Sequence, residues 1–143
     1  MSFLRAFPLL ILPVLFYNVM VVTTGSLGGS SDVMTADLAH AVGHFAMPVS
    51  NAAWAIQMGD IILFIGLIAL FFEVVASSGS SNDVLMKHVL AMLLFVICLV
   101  EFLLLKPFAT STFFLLMVMA LLETIAGFII TTVAARKDIG MAH

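Results

Sequence analysis

Ile61-Ile62-Leu63-Phe64-Ile65-Gly66-Leu67-Ile68-Ala69-Leu70-Phe71-Phe72 is an unbroken apolar run inside a longer apolar stretch, Ala53–Ala76. A hydrocarbon core about 30 Å thick takes about 20 helical residues to cross, and this stretch supplies them. Three more stretches have the same character: about Phe3–Val22, Val84–Leu105 and Ala109–Ala134. A strand cannot satisfy its backbone alone in lipid, and no alternating barrel pattern is present, so each is read as a helix. The expected fold is an all-α membrane protein: four transmembrane helices in one antiparallel up-down domain spanning 1–143.

Composition supports a lipid solvent. Of the 143 residues, 64% are hydrophobic and 9% charged, against about 25% charged in soluble domains. Mean hydropathy is +1.28. The formal charge of -3 is scattered, with no basic patch to hold nucleic acid. Cys98, the single cysteine, lies in an apolar run and excludes an intrachain disulfide. The ten methionines are read as core filler rather than a copper path.

Arg5 ahead of the apolar core of the first stretch, with the small residues Thr23, Thr24 and Gly25 after it, also resembles a signal peptide, but the stretch's length favours an anchor. Pro8 and Pro13 should kink this helix or confine its regular part to the second half. Arg5, Lys87, Arg136 and Lys137 fall on one side of the expected bundle and Lys106 on the other. The positive-inside rule then places both termini and the Ser77–Asp83 turn in the cytoplasm, in the inner membrane if the source is bacterial. Trp54 and Phe108 suit the outer aromatic belt. Asp83 is placed to cap the third span, and Thr110, Ser111 or Thr112 to cap the fourth. The short connections at 77–83 and Lys106-Pro107 imply that the last three helices pack as a sequential meander.

The long first loop ends in a segment, about Asp32–Met47, read as an amphipathic helix lying in the outer interface and stopped by Pro48. Met34, Leu38, Val42 and Phe45 share one helical face and Asp37, His40 and His44 another. His at i and i+4 with a carboxylate one turn earlier suits Zn or Cu, although a solvated polar face gives the same pattern. Haem is disfavoured, because His88 is the one histidine near a span and has no facing histidine at matched depth.

Asp60, Glu73, Glu101 and Glu123 interrupt the apolar stretches, at about 2.5–3.5 kcal/mol each on the insertion scale if unpartnered. At about 1.5 Å per residue, Gln57, Asp60, Glu101, Tyr17 and Asn18 share a level in the outer half of the bundle. They are expected to form a polar layer under the histidine-bearing helix, either as an ion or proton site or as interhelical glue. Glu123 falls near the midplane with no base at its depth. Glu73, near the inner interface, is expected to pair with Lys87 or another base, and His88 to sit at the interface beside Lys87.

Gly59 and Gly66 form a small-residue stripe continued by Glu73. Ala120, Glu123, Gly127, Thr131 and Ala134 form a second. Such faces admit a close helix from this chain or another subunit. Three functions fit the sequence. The one demanding least is a small non-catalytic subunit packing against a larger membrane complex or itself. An oligomeric proton or ion transporter using the intramembrane carboxylates is the second. A metal-binding membrane enzyme at the outer face is the third. The implied partners are the lipid bilayer and further membrane subunits or copies.

Overall fold

The computed structural model describes residues 7–24, 26–76 and 82–140, and of these the side chains of 26, 82–85, 131 and 134–140 lie outside the description. The expectations resting on Arg5, the 77–81 turn, Asp83 as a cap, Arg136, Lys137 and the Thr131–Ala134 end of the second stripe fall outside the described residues. The elements in order are α1 (Ile11–Thr23), α2 (Ser31–Leu38), β1 (Ala41–Ala46), β2 (Ala53–Gln57), α3 (Met58–Ala76), α4 (Asn82–Leu104) and α5 (Ser111–Gly140). Single 3-10 turns occupy Ser26–Gly28 and Lys106–Phe108.

Among the described residues three helical segments are long and apolar enough to cross a membrane: Met58–Ala76, Met86–Leu104 and Ser111–Ile130. The chain is therefore suited to embedding in a bilayer. The first apolar stretch yields a shorter element, since the 13 residues of α1 reach only about 20 Å. Its prolines explain the start. Pro13 stands in the first helical turn, where a missing N–H leaves no bond unmade, and Ile11 and Leu12 donate to the carbonyls of Pro8 and Leu9 in a tight entry turn.

Helix α5 is the hub. It packs against both α4 and α3, while α1 lies on α3 and α5. This corrects the sequential meander, for among the described residues α3 and α4 have little direct contact. Small residues decide the arrangement. A Cβ on Gly59 would stand 2.8 Å from the Thr112 hydroxyl, and one on Gly66 3.0 Å from Leu116 and 3.1 Å from Met119. The buried stripe Gly59, Ile62, Gly66, Ala69, Glu73 thus lets α3 close on α5. Ala91, Leu94 and Cys98 form the buried stripe of α4.

Tyr17, fully buried in α1, anchors the core at the opposite end from Glu73. Its ring packs on Phe108 and Phe113 at centroid distances of 5.6 and 4.8 Å. Thr110 is the cap of α5, its hydroxyl accepting the Phe113 N–H at 3.2 Å. The same hydroxyl meets the Tyr17 hydroxyl at 2.6 Å, and Tyr17 donates to the Pro107 carbonyl at 3.1 Å. If Thr110 donates to Tyr17, every O–H and N–H in this chain of bonds has an acceptor.

The expected 32–47 helix is half correct. Helix α2 ends at Leu38, with Met34 and Leu38 buried as the periodicity requires. Beyond it the chain forms a hairpin, β1 pairing antiparallel with β2. Phe45 stands opposite Trp54 in register, their rings 6.3 Å apart, and both are about half exposed. Two features override the helical spacing. Asn51 adopts a left-handed φ of 53° in the tip, where Asn is among the more tolerant residues. The alternating segment Ala53–Gln57 then offers β1 a partner, and Trp54 lies in this strand rather than in the helix expected from residue 53.

Candidate functional site

The outer polar residues separate into three local tasks. Asp60, the third residue of α3, reaches back to accept the Gln57 backbone N–H at 2.9 Å, as the acidic member of a capping box does. Its side chain is exposed on the surface of the chain. Asn18 donates to the Val14 carbonyl at 3.1 Å and to Glu101 Oε2 at 3.5 Å, linking α1 to α4. Tyr17 belongs to the Thr110 network. No hydrogen bond or ion pair joins Asp60 to Glu101 among the described residues. A cleft of ≈ 260 Å³ opens beside Asp60, lined also by Gln57, Thr35, Thr110, Ser111 and Thr112.

The proposed ligand trio is not assembled as a helical face. Asp37 is on α2, His40 follows the helix end, and His44 is an exposed residue of β1 opposite Ala55. The i, i+4 geometry that would aim both imidazoles at one ion requires a helix through residue 44, and the helix stops at Leu38. Among the described residues no three His, Cys, Asp or Glu side chains are grouped to hold a metal ion.

The densest titratable group lies at the other end, where α3 ends and α4 begins. Glu73 is 1% exposed. Its Oε2 accepts the backbone N–H groups of Leu9 at 2.6 Å and Leu10 at 3.4 Å, at the start of α1. These are donors a helix entry leaves without intrahelical acceptors, and a carboxylate there also meets the positive end of the helix dipole. Lys87 of α4 stands 3.7 Å from Glu73 Oε1, the pairing expected from sequence. Glu123 of α5, 5% exposed, lies within electrostatic reach of the Glu73 carboxyl and of Lys87.

This changes the reading of Glu123. Glu73 from α3 and Lys87 from α4, of opposite charge, both lie within electrostatic reach of it. Glu123 Oε2 is buried with no hydrogen-bond partner among the described residues, and so is Nε2 of His88. A Cβ on Gly127, one turn beyond Glu123, would collide with the His88 imidazole. The glycine therefore seats the ring against α5. His88 is placed there, in electrostatic reach of Glu73 and Lys87. A signal for this cluster was present in the sequence: Glu73 and Glu123 each continue a stripe of small residues, and two such stripes that pack together bring their carboxylates together.

Neither a family model nor a curated protein nor a solved structure matches the chain.

Proposed function

We propose that the chain is a small non-catalytic integral membrane subunit: a four-span bundle that packs against a larger membrane complex or further copies of itself. One observation supports this above the rest. In the three long helices only 28%, 17% and 33% of the most apolar windows are buried within the chain, so most of each helix is left for an outside partner or lipid. The outward residues, among them Phe64, Phe71, Val96, Ile97 and Phe128, are large and apolar. Continuous apolar surface of this kind marks a membrane or protein contact.

Native mass spectrometry of the chain extracted in polymer-bounded native lipid discs tests the reading. The expected result is a defined assembly containing more than one polypeptide. A single chain with lipid alone would contradict it.

In the proposed topology both termini are cytoplasmic, and the 24–52 segment with its hairpin is on the far side. The distribution of Arg and Lys supports this orientation. A membrane-impermeant thiol reagent added from outside is expected to modify Ser30→Cys and spare Ser80→Cys. The reverse pattern would invert the bundle.

Proton or ion translocation is the second reading, favoured by the buried Glu73–Glu123 pair rather than by the outer carboxylates. Proton flux in liposomes lost in Glu123→Gln and retained in Asp60→Asn would support it, and no flux from the native chain would remove it.

A further inference from the structure

We propose that the β1–β2 hairpin is a membrane-interface anchor: it lies along the leaflet at its own end of the bundle and sets Phe45, Trp54 and Ile56 among the lipid headgroups and the tops of the acyl chains. The anchor requires only that the chain is embedded in a bilayer, whichever of the two proposed functions it serves.

Strand pairing makes the hairpin two-faced. Side chains alternate along a strand, and residues opposite one another in the register share a face. Phe45 stands opposite Trp54 and Ile56 opposite Gly43, so three bulky apolar side chains lie on one face. The other face carries His44 opposite Ala55 and Ala46 opposite Ala53. From Leu38 to Gly59 the sequence contains no Asp, Glu, Lys or Arg. The bulky face can therefore enter the edge of a hydrocarbon layer without burying a carboxylate, an ammonium or a guanidinium.

Placement follows from the connection to α3. Strand β2 ends at Gln57, and α3, a helix long and apolar enough to cross a membrane, starts at the next residue. The first strand is held at the same level, because the Met58 N–H donates to the His40 carbonyl at 3.0 Å. The base of the hairpin is thereby fixed where α3 leaves the bilayer.

From that base the six residues of β1 extend about 20 Å. Phe45 and Trp54 remain about half exposed, so the bundle itself does not cover this face. Standing upright, the hairpin would be a two-stranded ribbon in water, which is marginally stable at best without packing on its apolar face. Lying along the surface, Phe45 and Trp54 meet the zone where aromatic belts form, with an indole's apolar body and its polar N–H both accommodated. Lipid is present at that level wherever α3 crosses a bilayer, so it is the occupant the connection itself supplies.

The chain's single tryptophan is the probe. With the full chain in lipid nanodiscs, a phospholipid brominated near the glycerol end of its acyl chains should quench Trp54 emission several-fold more than one brominated near the chain ends. Aqueous iodide should quench it several-fold less than free tryptophan amide. The tip separates a hairpin lying flat from an upright one. Trp54→Phe combined with Val49→Trp moves the probe there without disturbing packing, since Val49 is 97% exposed. The tip probe should respond to both quenchers as Trp54 does. A tip quenched by iodide and not by the brominated lipids would overturn the proposal, leaving an upright hairpin. Either probe shielded from both quenchers would overturn it too, by showing a protein cover. If the double variant does not fold, the native chain decides: Trp54 quenched by iodide alone, or by neither quencher, would overturn it equally.

Discussion

Glu73 Oε2 accepts a hydrogen bond from the backbone N–H of Leu9 at 2.6 Å, fastening the last turns of α3 to the entry of α1 across 64 residues of sequence. The same carboxylate pairs with Lys87 and lies within electrostatic reach of Glu123, so one side chain of α3 meets the entry of α1, α4 and α5.

Replacing it should be severe. Glu73→Ala leaves two backbone donors and a cation without an acceptor, and breaking a buried pair in this way costs about 3–5 kcal/mol. Glu73→Gln keeps an acceptor oxygen and should lose much less. Unfolding in mixed micelles by increasing denaturing detergent measures both. Equal stability of the two variants would show that the backbone contacts contribute little.

Gly66 is packed against Leu116 and Met119, whereas Leu67 is 56% exposed. Gly66→Leu should therefore destabilise the bundle by more than about 1–3 kcal/mol, the usual range for overpacking. Leu67→Ala should change it little. The same unfolding assay ranks them, and a larger effect at Leu67 would mean that α3 is turned the other way.

Tyr17→Phe removes a hydroxyl from a closed network and should cost about 1–3 kcal/mol, the penalty for leaving buried partners unsatisfied. Thr110→Val also removes the α5 cap, at about 0.5–2 kcal/mol. Because the two hydroxyls meet directly at 2.6 Å, the double variant should be less destabilised than the sum. Strict additivity in the double-mutant cycle would argue against the contact.

The hairpin tip offers an independent check. Asn51 holds a φ of 53°, so Asn51→Gly should preserve the hairpin and Asn51→Val should strain it, since a β-branched residue resists this conformation. Trp54 is the single tryptophan. Its emission should be unchanged in Asn51→Gly and altered in Asn51→Val as the packing against Phe45 loosens.

The long apolar helices were legible because lipid imposes a length and a composition that sequence displays directly. Residues 58–76 are helical and apolar as read, and Gly59 and Gly66 face a neighbouring helix. The hairpin was not legible. Val42 and Phe45 satisfy a helical spacing as well as they satisfy a strand, and the deciding fact, a partner strand at 53–57, lies beyond the window that a period inspects. The individual partners within the polar layer were not legible, for a related reason. Depth along a straight helix put Asp60 and Glu101 at one level, but depth carries no information about azimuth or about helix starts. Asp60 is the third residue of its helix and caps it, so its carboxylate belongs to a terminus. Lys87 lies within electrostatic reach of Glu123, which residue spacing alone did not display, because a long side chain extends its charge well away from its own backbone.

The most direct measurement of the central claim, that the bundle's outer faces are covered by protein as well as lipid, is a photo-crosslinking scan in native membranes. A photoreactive phenylalanine analogue would be placed in turn at Phe64, Leu67, Phe71, Met92, Val96, Val100, Leu115, Leu122 and Phe128, all exposed positions on α3, α4 and α5. The expected result is protein adducts of discrete mass at positions following one face of at least one helix, with lipid adducts elsewhere. Lipid adducts alone at every position would contradict association and leave a solitary bundle.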